Sequence, residues 1–274
     1  MDSLRLGFIG GGVMGEAMIR GLLEHHVCTP DRLVAADINE GRCRHLALTY
    51  GIHAYPLNRA ALDGTDVVVM AVKPQNLREV ASELRGYLGP QQLVLSIIAG
   101  TATTTLVQEL DHPLVVRVMP NTPGQIGRGI SVWTATAAVN ERQRQATQTV
   151  LAALGEAVFV PDEKYIDMAT ALSGSGPAYV FLFLEALIDA GVHIGIPRDL
   201  AVRLSLQTVL GSAELAQATG RHPAELRNMV TSPGGTTTEG LFKLEAAGFR
   251  ALITQAVVAA FEKSLALGRP KGSE

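Results

Sequence analysis

Cysteine is almost absent. Cys28 and Cys43 are the only two in 274 residues and form no CxxC pair, which excludes a disulfide framework and leaves two reduced thiols of the cytosolic kind. A basic excess is missing as well: the formal net charge is −3, so the chain lacks the surface positive charge that phosphate-backbone binding draws on, and no nucleic-acid partner is expected. The opening "MDSLRLGFIG" has no basic segment followed by an apolar core, so no secretory signal is expected. The most apolar run, "AYVFLFLEALI", is interrupted by Glu185 and is too short to span a bilayer. These absences together predict a soluble, cytoplasmic protein without membrane contact. No HxxxH, HExxH or acidic cluster marks a metal site.

What is present is apolar mass. With 47% hydrophobic residues over this length, the chain can bury one large core or two smaller ones. As far as about Val160, short β-branched runs ("LRLGFI", "RLVAAD", "DVVVMAV", "QLVLSII", "LVVRVM", "GISVWTA", "EAVFV") alternate with helical patterns. That alternation predicts βαβ units and a parallel sheet covered on both faces. Beyond residue 161 the strand signals stop, and helices are expected near 163–172, 177–194, 198–219, 223–230, 237–247 and 249–267, before a polar tail "GRPKGSE". The division is therefore an α/β domain over 1–161 and an all-α domain over 162–274.

The first chemical signal is "GFIGGGVMGEAMIRGLL". Gly10, Gly12 and Gly15 form G-x-G-x-x-G directly after an apolar strand and at the start of a helical pattern. The three glycines serve, in turn, a tight turn, approach of the backbone to a pyrophosphate, and close packing of helix on strand. The helix N-terminus adds free N–H donors and partial positive charge. Asp37 ends the next strand, where a carboxylate can accept hydrogen bonds from an adenosine ribose; alternatively it caps the helix that follows. The unit reads as a Rossmann-like dinucleotide-binding domain. An acid at this position favours NADH, Arg42 and Arg44 behind it weaken that inference while fitting a solvated helix face better, and either NADPH or NADH stays open.

Further signals lie at later strand ends, where ligands bind in open parallel sheets. Lys73 closes "VVVMAV" with Pro74 at a first helical position, which places Lys73 near the cofactor or makes it an ordinary loop lysine. The segments 96–100 and 118–124 end in Gly, Pro and Asn and could line the nicotinamide site or simply turn the chain.

In the second half, "SGSGPAY" places hydroxyls and glycines before Pro177 at the start of a helix, an arrangement suited to an anion. "TSPGGTTTEG" repeats it with Ser232, Gly234 and Gly235, and with Thr236 and Glu239 at capping-box spacing. Each alone fits a well-capped helix; together, after a nucleotide fold, they suggest a site for a small carboxylate. The helix after Pro177 is apolar on nearly every face, with Glu185 and Asp189 as a narrow polar stripe, so it needs a partner subunit to bury it. No lysine occurs from Tyr165 through Phe242. That excludes the lysine acid/base of the hydroxyacid dehydrogenases that share this layout.

"GFIGGGVMG", "AVKPQ", "MPNTP", "LSGSGPAYVF" and "SPGGTTTEGL", in this order, resemble the pyrroline-5-carboxylate reductase family along essentially the whole chain. The resemblance implies NAD(P)H-dependent reduction of L-1-pyrroline-5-carboxylate to L-proline. It implies cofactor contacts from Gly10 to Gly15 (with Val13 and Met14), from Asn58, from Ala71, Val72, Lys73 and Pro74, and from Met119, Pro120 and Asn121 near the nicotinamide. It implies a substrate pocket from Ser175, Gly176 and Pro177 and from Ser232, Gly234, Gly235, Thr236 and Thr237. The family's helical domains interleave in a homodimer that can assemble further. Asp37 departs from the small or neutral residue that many relatives carry. A protonated cyclic imine already accepts hydride at carbon, so orientation by hydroxyl and amide donors suffices, and Thr237 is the candidate to hydrogen-bond the ring nitrogen. Reduction of another cyclic imine, or nucleotide binding without catalysis, are the alternatives on the same scaffold.

Overall fold

The computed structural model describes residues 4–268; Met1–Ser3 and all but the first residue of the expected polar tail lie outside the described residues. Contacts divide the chain into two compact units. One runs to Ser175 and takes the chain in again from Ala260, and the other is Gly176–Ala259.

The first unit is built on eight strands: β1 (Leu6–Ile9), β2 (Leu33–Ala36), β3 (His53–Tyr55), β4 (Val67–Met70), β5 (Leu93–Ser96), β6 (Val115–Met119), β7 (Gly129–Ala135) and β8 (Gly155–Phe159). Their order in the sheet is β3-β2-β1-β4-β5-β6-β7-β8. Pairing is parallel except between β6 and β7, so β7 and β8 run against the other six. The expected parallel sheet is present, with one antiparallel pairing that the alternation did not predict. The connection from Met119 to Gly129 is a 3-10 turn, Thr122–Ile126, too short for the crossover of about a dozen residues that a parallel return requires. The strand β3, missed from the sequence, is an edge strand whose His53 and Tyr55 are exposed; it has no apolar run because it has no second buried face.

Strand residues alternate between two cores. Leu6, Phe8, Leu33, Val67, Val69, Leu93, Leu95 and Val116 pack on one face, and Ile9, Ala36, Val68, Met70, Val94 and Val115 on the other. Helices α1 (Val13–Glu24), α2 (Glu40–Tyr50), α3 (Leu77–Leu84), α4 (Thr103–Leu110) and α5 (Glu141–Ala152) cover these faces. α1, α2 and α5 contribute Met18, Leu46 and Leu151 to the first core, and α3 and α4 contribute Leu84 and Leu106 to the second. Strand order reverses at β1, which pairs with β2 on one side and β4 on the other, and the crevice above such a switch point is where ligands bind.

After the short α6 (Lys164–Ala169), residues Thr170–Gly174 form a π-helical turn. The second unit then contains α7 (Gly176–His193), α8 (Arg198–Thr219), α9 (Pro223–Met229), α10 (Thr236–Ala246) and most of α11 (Phe249–Leu267). Gly191 of α7 gives Ala201 of α8 its close approach, since a Cβ at Gly191 would lie 3.2 Å from that of Ala201. Phe183 and Phe249 meet at 6.4 Å between ring centroids. Yet within Gly176–Ala259 only Ala201 and Ser205 are buried, while Phe181, Leu182, Ile194 and Phe242 are each more than 60% exposed. The unit has almost no interior of its own. The apolar run "AYVFLFLEALI" alone is too short to cross a bilayer, but the helical stretch containing it, Lys164–His193, has the length and hydropathy of a span, because the helix begins upstream of the run.

Candidate active site

The three glycines after β1 do what their spacing requires. Gly10 has φ of +100°, and a Cβ there would lie 2.7 Å from the Ala71 carbonyl oxygen at the end of β4. Only glycine fits such a turn. A Cβ on Gly15 would collide with the Gly10 carbonyl, so this position sets α1 tightly on β1. Gly12 is the N-cap of α1, makes no side-chain cap hydrogen bond, and would direct a Cβ into open space. Val13 beside it is exposed and Met14 is partly buried. An open helix N-terminus at a strand end is a cradle for a pyrophosphate, so the residues present fit a dinucleotide.

Asp37 is not a helix cap. That role belongs to Asn39, whose Oδ1 accepts from the N–H groups of Gly41 and Arg42 at 2.9 and 3.3 Å. The Asp37 carboxylate instead accepts from Gly11 N at 2.8 Å and Asn39 N at 2.9 Å, which fixes it against the glycine turn. Arg42 also departs from expectation. Rather than lying on a solvated face, its guanidinium donates to the Gly11 carbonyl through Nε and Nη2 and pairs with Glu16. Glu16 further accepts from His45 at 2.8 Å and Tyr50 at 3.0 Å. Burial alone would raise the Glu16 carboxyl, but the hydrogen bonds from Arg42, His45 and Tyr50 outweigh it and bring the pKa down to about 2. Arg44 is exposed. Sequence reading did not single out Glu16, although it follows the last glycine of the turn directly.

At the end of β4, Ala71 N donates to Ile9 O at 2.8 Å, and Ala71 and Val72 are partly buried beside the glycine turn. Lys73 is exposed and precedes a 3-10 turn, Pro74–Asn76, which leads into α3. Asn58 is only 7% exposed and its amide donates to Glu83 at 2.8 Å.

The segment after β6 is tied to the π-turn. Pro120 is buried, and Met119 lies so close to Gly174 that a Cβ there would sit 2.5 Å from the Met119 methyl. Asn121 donates through Nδ2 to Ser173 O at 3.2 Å and accepts from Ile130 N at 2.9 Å. The "SGSG" segment, expected to offer its hydroxyls and glycines to an anion, is in part already engaged within the chain. Ser173 donates its hydroxyl to Ala169 O at 2.9 Å, and Ser175 N donates to Thr170 O at 2.8 Å. The helix starts at Gly176, so Pro177 is its second residue. The first glycine of the motif is there to seat Met119, and π-turns of this kind gather at functional sites.

The start of α10 is different. Its N-cap is Gly235, so Thr236 is the first helical residue and the expected capping box between Thr236 and Glu239 does not form. Instead Thr238 Oγ1 donates to Ser232 O at 2.7 Å, and Gly235 N donates to the same carbonyl at 3.1 Å. Gly234 takes φ of +69°, and a Cβ on Gly235 would lie 2.5 Å from Ser232 Oγ. The glycines thereby fold the Ser232 hydroxyl back onto the helix N-terminus. Among the described residues the hydroxyls of Ser232, Thr236 and Thr237 have no hydrogen-bond partner, and Thr237 is partly buried.

One buried group was not anticipated. Arg117, an interruption in the apolar β6, is 3% exposed and pairs with Glu163 and Asp167 at 2.8 Å each. Glu163 also accepts from Thr103 N and Oγ1 at 2.7 Å, and Ser264 donates to Asp167 at 2.9 Å. This network fastens α4, α6 and the last turns of α11 to the sheet. Its only sequence signal was a charged residue inside "LVVRVM".

The glycine turn, the acid after β2 and a helical unit without an interior define a two-unit, dinucleotide-dependent oxidoreductase. Residues 163–267 match the family model described as pyrroline-5-carboxylate reductase dimerisation, and residues 5–100 match NADP oxidoreductase coenzyme F420-dependent. The chain is 41% identical to a pyrroline-5-carboxylate reductase of Synechocystis over 97% of its own length and 99% of that protein's. It is equally similar, at 41%, to one of Pseudomonas aeruginosa over 99% of this chain and all of that protein. Among solved structures it resembles the Plasmodium falciparum pyrroline carboxylate reductase with NADP bound, with a TM-score of 0.90 and 33% identity over 98% of this chain and 100% of that one. A Coxiella burnetii pyrroline-5-carboxylate reductase gives 0.89 and 34% over the same shares. The chain belongs to the pyrroline-5-carboxylate reductase family.

Proposed function

We propose that this protein reduces L-1-pyrroline-5-carboxylate to L-proline with NADH or NADPH, the last step of proline biosynthesis, as a homodimer in the cytoplasm. The observation that carries the reading is the start of α10, where Ser232, Thr236 and Thr237 offer unengaged hydroxyls beside an uncapped helix N-terminus. Such a site suits a small carboxylate next to a ring nitrogen that needs only a polar contact to orient it.

The dinucleotide-binding domain is residues 1–161, and the helical domain for substrate and dimer is 162–274. Gly10, Gly12, Val13, Met14 and Gly15 hold the pyrophosphate, with Asp37 on the adenosine ribose. Asn58, Ala71, Val72, Lys73, Pro74, Met119, Pro120 and Asn121 line the rest of the cofactor. When bound, the cofactor would supply a hydride to the carbon of the imine, whose ring nitrogen already carries a proton taken from solvent, so that the addition yields the secondary amine of proline. Ser232, Gly234, Gly235 and the Thr236 N–H hold the carboxylate. Ser175, Gly176 and Pro177 close the pocket, and the Thr237 hydroxyl orients the ring nitrogen. The exposed apolar faces of α7 are covered by a second copy rather than by lipid, and the homodimers assemble further.

Oxidation of NADH and NADPH at 340 nm with L-1-pyrroline-5-carboxylate tests the reading. Rapid loss of absorbance with either cofactor, and proline as product, is the expected result. Turnover with only a six-membered imino acid would reassign the substrate, and bound cofactor without turnover of either would remove the catalytic reading.

A further inference from the structure

We propose that Asp37 and the Glu16–Arg42 pair make this protein select NADH over NADPH. The inference rests on the reading of the first unit as a dinucleotide site and specifies which dinucleotide that site takes.

The two cofactors differ only at the 2′ position of the adenosine ribose. NADH presents a hydroxyl that can donate a hydrogen bond; NADPH presents a phosphate with about two negative charges that cannot donate when ionised. A site that accepts NADPH therefore needs cations, and a site that prefers NADH needs an acceptor. At the end of β2 the structure provides an acceptor. Both oxygens of Asp37 are anchored by backbone N–H groups, Oδ2 by Gly11 and Oδ1 by Asn39. Each keeps a lone pair for a further donor. Among the described residues no cation pairs with Asp37, so its charge is uncompensated.

The cation best placed to change this is Arg42, in the first turn of α2. It is turned the other way. Its Nε and Nη2 are spent on the Gly11 carbonyl, and its charge is answered by Glu16. Glu16 is held in turn by His45 and Tyr50, so three residues of α2 converge on it. The side chain of Arg42 is 31% exposed and that of Glu16 is 23% exposed, which leaves the pair only partly screened by solvent. A 2′-phosphate would thus meet a fixed carboxylate and a guanidinium whose Nε and Nη2 are already held by the Gly11 carbonyl and Glu16. The same arrangement braces the glycine turn from two sides, through Gly11 N to Asp37 and through Gly11 O to Arg42. Selectivity and the shape of the pyrophosphate cradle share one set of contacts.

Direct binding tests this without any substrate. The full-length protein is titrated with NADH and with NADPH, and nicotinamide fluorescence gives the two Kd values. Wild type is expected to bind NADH about ten-fold or more tightly than NADPH, a difference of roughly 1.4 kcal/mol by the relation between Kd and free energy. Asp37→Ser should reduce that ratio by about ten-fold, mainly by improving NADPH, since it removes the opposing charge. Glu16→Gln keeps the turn residues and should also lower the ratio through NADPH by freeing Arg42. Equal or tighter NADPH binding by wild type would overturn the proposal. So would an unchanged ratio in Asp37→Ser, while an unchanged ratio in Glu16→Gln would remove Arg42 from it even if Asp37→Ser failed to fold. Failure to bind either nucleotide would instead refute the reading of the unit as a dinucleotide site.

Discussion

Thr237 illustrates how little chemistry a single residue has to supply here. It is the second residue of α10, partly buried, with a hydroxyl that no other described residue engages. A protonated imine carbon is already electrophilic, so a hydroxyl that orients the ring nitrogen is worth one polar contact, not an acid/base group. On that basis Thr237→Ala lowers kcat/KM by about ten-fold or more, as loss of one oriented polar contact does. Thr237→Ser, which keeps the hydroxyl, recovers most of it. Steady-state kinetics of the two variants decide the point, and unchanged kinetics in Thr237→Ala would take the residue out of the mechanism. At this scale Gly10 and Gly15 were legible in the sequence because each answers a steric demand that only glycine meets. Arg42 was not: whether an arginine lies in solvent or turns to a carbonyl depends on where Glu16 stands, and that is set by packing between α1 and α2.

Among the elements, the π-turn at Thr170–Gly174 departs most from what its residues suggested. A run of Ser and Gly before Pro reads as an open loop, and α7 begins within a residue of expectation, while α6 ends three residues before the expected 172. What turns the loop into a π-turn is non-local. Met119 needs a residue without a side chain opposite it, and Asn121 needs the Ser173 carbonyl. The reversed direction of β7 was hidden for a similar reason, since alternation of apolar residues does not encode strand sense. The tie between Met119 and Gly174 leads to a prediction. Gly174→Val places its side chain where the Met119 methyl lies, which forces either the π-turn or the end of β6 to move, at a cost of roughly 1–3 kcal/mol as overpacking typically brings. Thermal or urea unfolding measures that cost. Met119→Ala in the same chain relieves the crowding and should recover part of the loss; no recovery would mean that Gly174 is required for some reason other than Met119.

For the whole molecule, the question is where the second unit finds its core. With only Ala201 and Ser205 buried across Gly176–Ala259, the contacts within one chain cannot stabilise these helices. Burying half a dozen side chains such as Phe181, Leu182 and Phe242 contributes on the order of 10 kcal/mol, comparable to the whole stability of a domain. Membership of a family with a dimerisation domain over 163–267 assigns that burial to a second copy. The first unit differs: both faces of its sheet are covered by its own helices. A charge placed in the middle of α7 should therefore separate the two. Leu182→Asp puts an unpaired carboxylate where the partner packs, and burying it costs far more than the interface regains. The variant is expected to move to the mass of a single chain, 29.0 kDa, in light scattering. Helical circular dichroism should fall as the second unit loosens, and turnover should be lost. Nicotinamide binding should survive in the same sample, because the glycine turn and Asp37 belong to a unit that keeps its own cores. Loss of nucleotide binding in parallel with the dimer would show that the two units fold as one, and a variant that stays dimeric, fully helical and active would mean that the apolar faces of α7 are not where the partner sits.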